Sequence, residues 1–246
     1  MHIPHYNFVF DPKDLTLEEE FSFNCYKGII CFNKCCYDVK LVLSPYDLLR
    51  LKRNLKLSTS EFIEKYGEFY IGEVTQLPVI SINMNPYDYS CPFLAEPEGC
   101  RVYPDRPSAC RIYPLARYFA ENEKGEKLEL YKIIRETHCK GHYEKRPIKV
   151  KDYLEEQGLP TYHYFNDLWG EVVLKRQKFS HIPLTGDILD LIYIMAYDLE
   201  ELREEIKSDS LPYFLKEDLN LSDEELLEKS LKIIRDEILT EENLNW

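Results

Sequence analysis

The sequence is poor in glycine, with 9 in 246 residues, and has only 2 tryptophans and 3 methionines. It contains no glycine-rich strand–loop–helix segment of the kind that cradles a nucleotide or a methyl donor. Long apolar runs are also missing, and none reaches the roughly 18–20 residues that a membrane-crossing helix needs. Positive charge is in deficit: 31 Lys and Arg stand against 44 Asp and Glu, a formal net charge of −13. Nucleic-acid affinity rests on clustered Lys and Arg, so no nucleic-acid partner is expected, and an anionic membrane surface would repel the chain. The stretch Met1–Glu20 lacks a basic segment followed by an apolar one and ends in Glu18-Glu19-Glu20. No secretory leader is expected from it, and the expected setting is the cytoplasm.

The remaining composition is that of a folded chain: 44% hydrophobic, 13% aromatic and 30% charged residues, with 19 tyrosines. Too little apolar content would leave a chain disordered, and this one has enough. Its 8 cysteines all fall between Cys25 and Cys139. In a reducing compartment, cysteines in that number serve metal binding or redox chemistry, not disulfides. A chain of this length also buries enough surface to fold without covalent staples.

The uneven distribution of cysteine divides the chain. Residues 20–146 are expected to form a compact cysteine-rich, metal-binding core, and residues 147–246 a mainly α-helical C-terminal lobe packed on it. The join falls near Arg146-Pro147, since proline restricts the residue before it and breaks helices. The fold class is α+β. Val39–Leu43 and Pro78–Asn83 read as strands, and Arg117–Ala120 with Leu128–Arg135 as the arms of a hairpin around Asn122-Glu123-Lys124-Gly125. Ser44-Pro45 opens a helix, with serine as the cap and proline in the first turn. Ser58-Thr59-Ser60-Glu61 is a capping box for a short helix that Gly67 ends, and Ser222-Asp223-Glu224-Glu225 is another, opening a helix through about Leu239. Asp187–Lys207 reads as one long helix, with Leu189, Ile192, Met195, Ala196 and Leu199 near one face.

The cysteines form two clusters and an outlier. The first is Cys25-x5-Cys31-x3-Cys35-Cys36, the second is Cys91-x8-Cys100-x9-Cys110, and Cys139 stands in His138-Cys139-Lys140-Gly141-His142. Thiolates are soft anionic ligands suited to zinc and iron–sulfur centres. A structural zinc takes four ligands and a four-iron cluster takes four cysteines. Eight cysteines therefore allow two full sites, or one with spare thiols. Adjacent side chains diverge on extended backbone, so Cys35 and Cys36 either serve different metals or share one through a tight turn. No zinc-finger CxxC pair occurs, and the spacing does not name the metal.

The second cluster has a distinctive setting, with Pro92, Pro107 and Pro114 to fix its loop. Arg106 and Arg111 are placed either to offset thiolate charge and donate hydrogen bonds to the site, or to pair with Asp105 and Glu98. His138 and His142 flank Cys139 closely enough for a metal site or a Cys–His pair, but surface roles serve equally. Tyr113, Tyr118 and Tyr131 read as packing residues.

Three stretches carry a family resemblance: Phe23–Cys36, the helix start Ser44-Pro45-Tyr46-Asp47, and above all Cys-Pro-Phe-Leu…Gly-Cys-x-x-Tyr-x-x-Arg-Pro-x-x-Cys-Arg-x-Tyr-Pro, from Cys91 to Pro114. The chain resembles the YkgJ-type cysteine-cluster family, described as zinc- or iron-chelating proteins and commonly labelled iron–sulfur oxidoreductases. The family's usual opening is C-x-x-C-x-x-C-C, and here the first two gaps are five and three residues. The resemblance implies a metal-binding protein that holds iron, as an iron–sulfur cluster of the 4Fe-4S kind, through Cys25, Cys31, Cys35, Cys36, Cys91, Cys100, Cys110 and Cys139, with redox activity as one outcome. The alternatives are a zinc-stabilised binding module, or a lysine methyltransferase like the related flagellin methylases, which use S-adenosylmethionine.

Overall fold

The computed structural model describes residues 8–121 and 124–244. It is an α+β protein with 45% helix and 18% strand, the strands lying in small separate sheets. The strands are β1 (Phe8–Phe10), β2 (Glu20–Ser22), β3 (Val42–Leu43), β4 (Gly67–Ile71), β5 (Pro78–Ile82), β6 (Leu94–Ala95), β7 (Gly99–Cys100), β8 (Leu115–Glu121), β9 (Lys127–Glu136) and β10 (Pro147–Lys149). The α-helices are α1 (Pro45–Leu55), α2 (Thr59–Tyr66), α3 (Ser108–Ile112), α4 (Val150–Glu156), α5 (Pro160–Lys178), α6 (Gly186–Tyr197), α7 (Leu199–Ser208), α8 (Asp223–Ile233) and α9 (Glu241–Leu244). No helix among the described residues is long and apolar enough to cross a membrane.

The chain forms two compact units that interleave along the sequence. One comprises residues 1–41 and 84–161, the other residues 42–83 and 162–246. Arg146-Pro147 therefore lies inside the first unit, where Pro147 opens β10 and pairs with Ser22 of β2.

The first unit contains the hairpin expected around Gly125. Strands β8 and β9 pair antiparallel from Leu115↔Ile133 to Glu121↔Lys127, and β1 adds to the free edge of β9. Asn122 and Glu123, expected in its turn, lie outside the described residues. Alternation shapes β9: Tyr131 and Ile133 are buried, with Leu115 opposite Ile133, while Leu128, of the other parity, faces solvent. Phe21, Phe23 and Tyr153 pack edge to face, with ring centroids 5.2–6.3 Å apart. They join β2 and the residue after it to α4.

The second unit sets the three-stranded antiparallel sheet β3-β5-β4 with helices of the C-terminal region, which is mainly helical as expected. Its helix starts follow the sequence. Ser44 and Asp47 exchange side chain–backbone hydrogen bonds of 3.2 and 3.1 Å, Ser58 and Glu61 do the same, and so do Ser222 and Glu225. Each box satisfies amide donors that the first turn leaves unpaired. Tyr46 of α1 stacks on Phe165 of α5, centroids 4.4 Å apart and planes 8° apart. Lys52, 3% exposed, donates to Thr59 and pairs with Glu200 at 2.5 Å.

The expected single helix over Asp187–Lys207 is two helices. Asp198 adopts φ −114°, ψ 72°, and its side chain accepts from the Glu201 amide at 3.3 Å, capping α7. A short polar side chain competes with the helix for backbone groups, and here it wins because a turn lets Leu199 and Leu202 be buried. The strand expected over Val39–Leu43 is confined to Val42–Leu43.

Candidate metal centre

All eight cysteines lie in the first unit and all are free thiols. Cys139 is buried, Cys31, Cys36, Cys91 and Cys100 are half-buried, and Cys25, Cys35 and Cys110 are exposed.

The first cluster is wound by successive tight turns. Amide-to-carbonyl bonds join Ile29 to Tyr26, Phe32 to Ile29 and Lys34 to Cys31, at 2.8–3.2 Å. Gly28 at φ 111° permits this winding, as does Asn33 at φ 71°, a residue type that tolerates the left-handed region. The turns absorb the long gaps between Cys25, Cys31 and Cys35. Cys35 and Cys36 end up on a 3-10 turn, Lys34–Cys36, where a hydrogen bond joins their side chains.

Backbone bonds carry the other cysteines to this point. The Cys91 amide donates to the Cys36 carbonyl at 2.7 Å, and Tyr37 bridges Ser90. Cys100 then returns beside Cys91 through the β6–β7 hairpin, in which Leu94 faces Cys100. Gly99, at φ 109°, allows that reversal. Cys110 sits on α3. From the far side, the Asn24 amide donates to the Gly141 carbonyl and the Lys140 amide to the Cys31 sulfur, both at 3.1 Å, which lays the Cys139 loop against the first cluster. A Cβ at Gly141 would lie 2.6 Å from the Phe23 ring and 2.8 Å from the Asn24 carbonyl. Only glycine fits so close an approach.

The thiols feel one another. Although the Cys25 residue reaches the surface, desolvation by the protein around its sulfur pushes the thiol up to about 11, and Cys35, Cys31 and Cys139 add to the rise. Burial likewise raises Cys91 to about 11 against the Phe93 amide, and raises Cys100 against the Val102 amide and the Arg106 charge. Cys139 is raised by burial too, with the Gly141 amide opposing. In the Cys35–Cys36 pair the contact between the two thiols lowers Cys35 and raises Cys36. Desolvation and mutual repulsion together hold most of these thiols protonated, and a bound cation reverses both effects.

Arg106 and Arg111 are buried beside this group. Arg106 lies 3.9 Å over the Tyr103 ring and donates to the Tyr103 carbonyl and the Gln157 side chain, at 2.8 and 2.6 Å. Arg111 donates to the carbonyls of Arg106, Gln157 and Pro104. The arginines thus fasten the Cys100–Cys110 loop to the end of α4, and the Arg106 charge reaches Cys100 and Cys110. Gln157 carries no sequence signal; only the fold brings it here. Tyr113 is half-buried and packs edge-on to the Phe23 and His142 rings, as expected of a packing residue, and burial raises its pKa. Tyr131 is a core residue, and Tyr118 bonds to Asp14. His138 lies 3.6 Å from Glu136. His142 packs on Phe23 and Tyr113, and burial holds its pKa below the usual histidine range.

Among the described residues, no three Cys, His, Asp or Glu side chains are gathered tightly enough to grip an ion as they stand. The donor set nonetheless fits a thiophilic metal. It is made of sulfur and held by a hydrogen-bonded loop framework, and Cys25, Cys35 and Cys110 reach the surface.

An α+β unit built around eight free cysteines is the architecture of a cysteine-cluster metal-chelating module. The chain belongs to the CxxCxxCC family, whose profile, described as "Putative zinc- or iron-chelating domain", matches residues 24–157, more than half of its length. The match agrees with the resemblance carried by the cysteine motifs. No curated protein and no solved structure matches the chain.

Proposed function

We propose that this protein holds iron as an iron–sulfur cluster and serves as a redox protein. The observation that carries the reading is the convergence of free thiols around Cys35-Cys36, linked by the bonds Cys91–Cys36, Lys140–Cys31 and Asn24–Gly141. Cys25, Cys31, Cys35, Cys36, Cys91, Cys100, Cys110 and Cys139 are the candidate ligands in this proposal, of which one four-iron cluster takes four. A polynuclear cluster spreads its ligands over several irons, which suits thiols that interact without meeting at one point. The exposure of Cys25, Cys35 and Cys110 gives electrons a short route to the surface. Buried Arg106 supplies positive charge beside a centre of net negative charge. When bound, the cluster supplies one-electron chemistry; the chain's own residues hold it, offset its charge and limit solvent.

The second reading is zinc held by four thiolates, favoured by the family description, which names both metals. Purification without oxygen, followed by measurement of iron, zinc and acid-labile sulfide, separates the two. The iron–sulfur reading expects iron and sulfide in equal amounts and a visible absorption that bleaches on reduction. Stoichiometric zinc without sulfide contradicts it.

A further inference from the structure

We infer that the loops of residues 24–36 and 137–146, which carry the first cysteine cluster and Cys139, form a docking face for the acidic surface of a partner protein. The inference rests on the surface and charge of these loops and holds whichever metal the thiols bind.

Three bonds make the two loops one surface. The Asn24 amide donates to the Gly141 carbonyl and the Lys140 amide to the Cys31 sulfur, both at 3.1 Å, and the Phe23 amide donates to the Arg146 carbonyl at 3.3 Å. The loops hold five Lys or Arg and one acid, Glu144, in a chain of net charge −13. Exposed Lys27, Lys34, Lys140 and Lys145 form no ion pair among the described residues. Lys34 and Lys140 each lie 5.8 Å over a tyrosine ring, Tyr37 and Tyr143, and these neutral contacts leave the charge uncompensated. By contrast, elsewhere in the same unit Glu19 pairs with Lys13, Asp14 with Lys132, Asp11 with Arg135, and Glu18 with both Lys149 and Lys151.

Apolar side chains between these lysines are exposed as well. Ile30 is 87% exposed, Tyr143 77% and Tyr26 45%. Single exposed apolar residues are ordinary, but three on two bonded loops make a patch. An apolar centre within a charged rim is the anatomy of a protein interface. Complementarity to the unpaired lysines makes the partner's surface acidic. Offsetting the charge of a bound centre does not account for the patch, because exposed cations are screened by water and salt, and Ile30 and Tyr143 carry no charge. Nucleic acid fits less well. Its dense phosphate charge would meet the repulsion of a chain of net charge −13, whereas carboxylates set among apolar side chains match Ile30 and Tyr143 as well as the lysines.

The test measures the fluorescence anisotropy of a labelled synthetic peptide of Glu, Asp, Leu and Phe against the full-length chain purified without oxygen, at low and at high salt. A counterpart with Gln and Asn in place of the acids and a single-stranded oligothymidylate are the comparison probes. The acidic peptide is expected to bind at low salt and to lose about tenfold in affinity at high salt. Lys27→Glu/Lys140→Glu is expected to weaken it about tenfold, and Ile30→Ser about threefold. Lys65→Glu/Lys216→Glu, which reverses two exposed cations of the other unit, is expected to leave it unchanged. All these positions are exposed, so folding is spared, and either loop variant alone decides. The inference is overturned by binding that salt does not weaken, by equal binding of the neutral peptide, by equal losses in the two double variants, or by tighter binding of the oligonucleotide. A dimer in sedimentation that Lys27→Glu/Lys140→Glu dissociates also overturns it, because a second copy then fills the face. A chain that carries no metal but binds the peptide through these lysines contradicts the metal reading and upholds the docking face.

Discussion

Gly141 shows how much the site depends on a residue with no donor atom. Its missing Cβ lets the Cys139 loop touch Phe23 and Asn24, and Gly141→Ala places an atom 2.6 Å from the ring. The variant is predicted to lose at least half of the bound metal, measured per chain by elemental analysis. Gly170→Ala is the control: nothing lies within 4 Å of a Cβ there, and alanine in α5 is predicted to stabilise by up to about 1 kcal/mol. The charge beside the thiols gives a second prediction. Arg106→Gln removes a buried cation that acts on Cys100 and Cys110. Iron content is expected to hold while the reduction potential moves negative, because the reduced centre loses a favourable charge; an unchanged potential would deny Arg106 that role. At this scale the thiols and arginines were legible, since soft ligands and cations announce their chemistry by residue type. Gln157 was not, because only the folded chain brings it to Arg106 and Arg111.

Among the elements, the helix starts were the most legible feature, because a capping box is a local device spelled out in four residues. The break between α6 and α7 was not. The apolar stripe from Leu189 to Leu199 continues across Asp198 and hides the stop. Asp198→Ala removes the cap on α7 and is predicted to cost about 1 kcal/mol in chemical denaturation. Between α1 and α7, burial pushes the Glu200 carboxyl up, but the Lys52 ammonium overrides this and holds it below the usual range. A depressed carboxyl stabilises the fold above its unfolded pKa of about 4.3 and stops doing so as pH falls through the folded value. Wild type is therefore predicted to be more stable than Glu200→Gln at pH 7, with the gap closing below about pH 4.3. A gap independent of pH would remove the ion pair from the account.

For the molecule as a whole, the sequence showed where the cysteines stop but not how the units divide. The segment 42–83 follows the first cysteine cluster in the chain yet clusters with the C-terminal helices, as the Tyr46–Phe165 stack and the Lys52–Glu200 pair show. Such pairings join residues more than a hundred positions apart, and no local pattern reveals them. All eight cysteines belong to one unit, so metal removal is predicted to act unevenly. A chelator is expected to raise hydrogen exchange in β2, β9 and the Cys91–Cys110 loop and to leave α1, α6 and α8 protected. The central claim, that these thiols grip a metal, is tested most directly by X-ray absorption at the edge of the metal that copurifies without oxygen. The account predicts a first shell of sulfur alone at about 2.3 Å. A shell of nitrogen or oxygen, or a chain with no bound metal, would contradict it.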